Sequence, residues 1–159
     1  MDDTGLTILT SELAADVEVA REAAERATQR LRESSSGHLE AAAYELTRLY
    51  NILERMFERI CDAFENHFEK RGDYHERPLQ RLAIALPGIR PAFIPAAHRP
   101  ALRELKGFRH VVRHAYDLAL RPDRLAELAA MAEQVTALLP AWCTDFARQV
   151  RHEQGWPPP

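Results

Sequence analysis

A chain of 159 residues, 46% hydrophobic and 28% charged, is long enough to bury a core and short for two, so the expectation is one domain over residues 1–159. Only six glycines, an abundance of Ala, Leu, Glu and Arg, and no alternating Val/Ile/Thr runs exclude a sheet-based fold and give an all-α class. The net charge of -3 is unevenly spread: residues 99–116 set Arg99, Arg103, Lys106, Arg109 and Arg113 against Glu104 alone, a local +4 that leaves about -7 elsewhere and admits a phosphate-binding patch.

In chain order, Leu9, Leu13, Val17, Ala20, Ala24, Ala27 and Leu31 recur at three- and four-residue steps and predict a helix from about Thr7 to Leu31, broken by Ser34-Ser35-Ser36-Gly37. A second helix, about His38 to Lys70, carries the longest apolar stripe, from Leu39 through Leu46, Leu53, Ile60 and Phe68. Its acidic band of Glu54, Glu58, Asp62, Glu65 and Glu69 reads first as a solvated face, alternatively as a surface that meets a basic partner. Asp73 and Glu76 have capping-box spacing and lead into a short helix through about Leu86, which Pro87-Gly88 ends.

Prolines 87, 91 and 95 forbid a helix up to Pro100, with Ile89, Phe93 and Ile94 available to pin the loop to the core. Pro100 then opens a helix to about Leu120, and Pro122 a last one to about Gln149 with a kink expected at Pro140. Residues 153–159, with Trp156 and three prolines, read as a flexible tail. The architecture expected is an antiparallel bundle of about four long helices and one short one.

Cys61 and Cys143 form neither a disulfide framework nor a Cys-x-x-Cys motif. No run approaches the ~20 apolar residues of a membrane span, and Met-Asp-Asp is not a basic signal region, so the reading is cytoplasmic.

The chemistry concentrates on the helix of residues 100–120. At ~100° per residue, Leu105, Phe108, Val111, Val112, Ala115, Leu118 and Ala119 fall on one arc, expected to be buried. Lys106, Arg109, His110, Arg113, His114, Tyr116 and Asp117 fall on the other. Arg109, Arg113 and Tyr116 make one ridge; His110, His114 and Asp117 make a second beside it.

A phosphodiester fits between the ridges, with Lys106, His110 and Arg113 as substrate-binding candidates. Arginine forks phosphate and histidine passes a proton to or from a ribose hydroxyl, which suffices for RNA cleavage without metal. Two alternatives stay open. The arc is an ordinary solvated face, or His110, His114 and Asp117 bind a metal in a helical-bundle hydrolase, against the repulsion of Arg109 and Arg113.

The string Leu105-Lys106-Gly107-Phe108-Arg109-His110-Val111-Val112-Arg113-His114-Ala115-Tyr116 holds Arg, four residues, His, one residue, Tyr. It resembles the signature of HepT-like HEPN ribonuclease toxins, as do Asp73-Tyr74-His75 and Leu86-Pro87-Gly88-Ile89-Arg90-Pro91, over about residues 40–130. The resemblance implies a HEPN bundle that dimerises so that two motif helices form one cleft. It implies metal-independent RNA cleavage without a cofactor, Arg109 and His114 as catalytic residues, and an MntA-type nucleotidyltransferase antitoxin that adds AMP to Tyr116. Arg109 and His114 stand about 140° apart on the wheel, a separation that a dimeric cleft relieves. The rival expectation is a non-catalytic helical module that binds a nucleotidyltransferase. The cation-rich arc and the acidic band of the second helix together predict a homodimer.

Overall fold

Asp2 starts the first helix, because its carboxylate accepts a hydrogen bond from the Gly5 amide at 2.7 Å and satisfies one of the free donors there. In the computed structural model, which describes residues 1–65, 78–114 and 119–157, α1 therefore runs Asp3–Leu31, a turn earlier than the periodicity places it. The predicted break holds at Ser34–Gly37, where Gly37 has a φ of 82° that disfavours any other residue. Beyond it come α2 (His38–Glu65), α3 (Pro78–Arg81), a single 3-10 turn (Ala96–His98), α4 (Arg99–His114) and α5 (Pro122–Gln154). Among the described residues, four long helices and one short one, with no strand, make the expected all-α, HEPN-like bundle.

The apolar stripes meet as their periodicity requires. Leu6, Leu13, Val17 and Ala24 of α1 and Leu46, Leu53, Phe57 and Ile60 of α2 join Leu128, Val135, Leu139 and Phe146 of α5 in one hydrophobic cluster. α1 packs on both α2 and α5, while α4 lies across α2 and α5. Arg59 of α2 reaches over to Asp16 and Glu12 of α1, each at 3.0 Å. No helix among the described residues is long and apolar enough to cross a membrane.

The segment between α3 and α4 is a packed strap. Leu86 and Arg90 exchange backbone hydrogen bonds around Pro87-Gly88, and the amides of Phe93 and Ile94 both donate to the Leu82 carbonyl. Phe93 is buried edge-on among Phe57, Trp142 and Phe146, with centroids 5.6–6.3 Å apart. Of the expected short helix only α3 lies in the described residues; the Asp73–Glu76 capping box lies outside them.

Four expectations need correction. Glu54 and Glu65 do not belong to a solvated face. Glu65 is fully buried and accepts from Arg90, whose guanidinium is equally buried and also donates to the carbonyls of Arg81, Ile84 and Pro91. Spacing identifies a polar band but not the strap that folds over it.

The arc of α4 expected to be buried is covered only where α2 and α5 reach it: Leu102 and Leu105 are buried, Phe108 and Val112 half-buried, and Val111 is 45% exposed. α5 runs on past Pro140 as one helix to Gln154, five residues beyond the expected end. Finally, residues 153–157 are not a loose tail. Gly155, at φ 69°, stops α5; the Trp156 amide then donates to the Arg151 carbonyl, and the half-buried indole packs on the core.

Candidate functional site

Leu102 and Leu105 anchor α4 in the core, and one turn further on its polar side chains divide into two sets. Arg109 turns inward toward α2. Its Nε donates to Asn51 Oδ1 at 2.6 Å, Nη1 donates to Glu54 Oε1 at 3.2 Å, and Nη2 lies 2.7 Å from Glu54 Oε2. The guanidinium carbon sits 5.6 Å from the centroid of Tyr50, a buried ring that forms its floor. Burial, and then the charge of Glu54, push the Tyr50 phenol well above its ordinary range against the opposing pull of Arg109, so Tyr50 stays neutral. The side chains of Arg109 and Glu54 are only 16% and 22% exposed, which makes the pair a partly buried joint between two helices.

The second set faces outward. His110, Arg113 and His114 are exposed, Lys106 is half-buried, and the two imidazoles lie tilted against each other, 4.5 Å between centroids with planes 48° apart. That contact is what the four-residue step on a helix dictates. His110 and His114 are thus brought together with Arg113 exposed on the same helix, whereas Arg109 is engaged by Asn51 and Glu54 of α2. Tyr116 and Asp117 lie outside the described residues, as do Ala115 and Leu118.

Two shallow apolar grooves flank this end of α4. One, of about 330 Å³, is lined by Gly107, Phe108, Val111 and Leu120 with Arg103 and Arg124; the other, of about 310 Å³, by Ala43, Tyr44, Thr47, Val112 and Leu120. Tyr44 is 65% exposed there. Among the described residues no three metal-ligating side chains converge; Asp117, the third member of the candidate metal set, is not one of those residues.

Sequence reasoning missed Asn51 and Tyr50. The signal was available: Asn51 interrupts the apolar run of α2 and stands three residues before Glu54, so the two share a face, with Tyr50 one turn before Glu54.

A family model described as HepT-like protein matches residues 41–150, from the first turn of α2 through most of α5. Neither the curated proteins nor the solved structures give a match. The matched region holds Arg109, His114 and their α2 neighbours and leaves out α1. Spanning well over half the sequence, and falling on the all-α bundle described above, this match places the chain in the HepT-like family of HEPN proteins.

Proposed function

We propose that the chain is the toxin of a toxin-antitoxin pair, an endoribonuclease that cleaves RNA without metal at a cleft between two copies. The observation that carries the reading is the exposed His110–His114 ring contact on the same helix as Arg109 and Arg113. His114 takes the proton of a ribose 2′-hydroxyl, the 2′-oxygen bonds to phosphorus as the bond to the 5′-oxygen breaks, and the departing 5′-oxygen takes a proton from water. Arg109 meets the charge that builds on the phosphoryl oxygens, and Lys106, His110 and Arg113 hold the flanking backbone.

Arg109 faces α2 while His114 faces out, which supports a cleft where a second copy brings one protomer's histidine to the other's arginine. The apolar rim at Val111 and Tyr44 suits that contact. The regulatory partner is a nucleotidyltransferase of the MntA type, which transfers AMP to Tyr116 and so places phosphate where the substrate's should sit.

One observation favours the rival reading, a non-catalytic module that binds a nucleotidyltransferase: Glu54 already neutralises Arg109. Expression of the native chain and of His114→Ala, scored by growth and by integrity of total RNA, separates the two. Growth arrest with RNA fragmentation in the native case alone supports the nuclease; intact RNA in both supports the module.

A further inference from the structure

We propose that Asn51 and Glu54 of α2 are positioning residues for Arg109, so that the cleavage site is built from α2 as well as from the motif helix. This rests on the ribonuclease reading of Arg109. A surface arginine must freeze several torsions to grip one phosphate, which costs much of what the contact returns. Arg109 has that freedom removed in advance by three contacts of different chemistry: an amide oxygen on Nε, a carboxylate across Nη1 and Nη2, and the face of a tyrosine. Tyr50 is 1% exposed and Leu49 and Leu53 beside it are fully buried, so this floor cannot move without opening the core. The outer N–H of each terminal nitrogen is left to reach a phosphoryl oxygen.

The carboxylate also divides the work. Glu54 cancels most of the long-range attraction of Arg109 for a polyanion, so RNA is drawn in by the exposed Arg113 and its neighbours. The directed N–H groups of Arg109 then act on the one phosphate that reacts. Removing the Glu54 charge should therefore leave RNA binding as tight or tighter while loosening the group that serves the chemical step. Loss of a purely structural contact would not split the two constants in that direction.

The test is steady-state cleavage of a short RNA by the full chain, with helical content checked by circular dichroism. Asn51→Ala and the isosteric Glu54→Gln should each lower kcat about tenfold, the worth of one hydrogen bond to a charged group, with KM unchanged or lower. Asn51→Asp, which keeps an acceptor oxygen on Nε, should recover most of the rate. In an Arg109→Lys background neither substitution should cost anything further, because the planar group they hold is gone.

Native kcat in Asn51→Ala and Glu54→Gln, with Arg109→Ala inactive, overturns the positioning role and leaves the nuclease reading standing. A Glu54→Gln enzyme faster than native overturns it too, since the pair would then be a restraint. An Arg109→Ala variant that cleaves normally overturns the nuclease reading itself. Should Asn51→Ala lose helical content, Glu54→Gln alone decides, because it changes no volume.

Discussion

Glu54 and Arg109, 55 residues apart in sequence, meet as carboxylate and guanidinium fork at the crossing of α2 and α4. The acidic band and the cationic arc are complements, and at this point the complement is satisfied within one chain. The same fork makes the two residues of the Arg-x4-His motif unlike in setting, one held in a joint and the other exposed at the surface beside His110.

Arg109→Ala and His114→Ala should both abolish RNA cleavage but differ in stability. His114 is exposed and its loss should be neutral, whereas Arg109→Ala leaves Glu54 unpaired and uncovers Tyr50, at a cost of about 1 kcal/mol. Cleavage assays paired with thermal melts check this, and normal cleavage by either variant removes that residue from the mechanism.

Breaking the buried pair at the strap should be far more damaging. Burial alone pulls the Arg90 guanidinium below its ordinary pKa, and Glu65 with three carbonyls offsets that penalty. Glu65→Ala leaves a buried charge unpaired and should cost about 3–5 kcal/mol. Asp145→Ala, which breaks an exposed pair with Arg148, should leave the melting temperature where it was. Equal melts for the two variants would contradict the burial argument.

Val111 is 45% exposed on the uncovered end of the α4 arc, so Val111→Asp should fold normally and abolish self-association. Half-buried Val112 gives the same expectation for Val112→Asp, in place of the outright unfolding that a fully buried site would imply. Light scattering at micromolar concentration reads both. A native protein that is already monomeric ends the dimer proposal.

Tyr116→Phe should keep nuclease activity and escape neutralisation by the antitoxin. Intact-mass measurement after coexpression with the partner nucleotidyltransferase should show AMP-sized increments on the native chain and none on the Phe variant. An unmodified native chain that is nonetheless neutralised would point to inhibition by complex formation.

Burial pushes the Cys143 thiol up to about 11 and raises Cys61 as well. At pH 8 the Cys143 thiolate should therefore be about a hundredfold scarcer than in an ordinary thiol, and a thiol reagent should label it only slowly until denaturant is added. The linked stability has a definite sign: the unfolded thiol loses its proton first, so stability falls as pH rises from about 9 toward 11. Fast labelling of the folded protein at pH 8 would refute the assignment.

How much of this was legible in the sequence depends on the range of the interaction. The long helices were readable because Leu9 to Ala27 and Leu39 to Ile60 repeat at helical steps, and the α1–α2 break because Gly37 follows three serines. The His110–His114 contact is local and followed from spacing. The Arg109 joint did not follow, because a helical wheel sorts residues by polarity and a long cation can be half-buried on a polar arc when a neighbouring helix offers an acid. For the same reason Glu65 looked solvated until the strap brought Arg90 over it, and Trp156 looked loose until Gly155 turned it back onto the core.

Arg151 in the last turns of α5 forms an ion pair with Asp3 in the first turn of α1, and Met1 lines one small pocket with Gln154 and Trp156. The first turn of α1 and the last turns of α5 therefore adjoin, while the Ser34–Gly37 turn between α1 and α2 is exposed. A circular permutant that links the two old ends and opens the chain at Ser35 should keep every helix and every interhelical contact described above, because the cut falls in an exposed turn. Such a rearranged molecule would carry its tags at the α1–α2 turn, away from the end where α1 and α5 pack together and Arg151 pairs with Asp3.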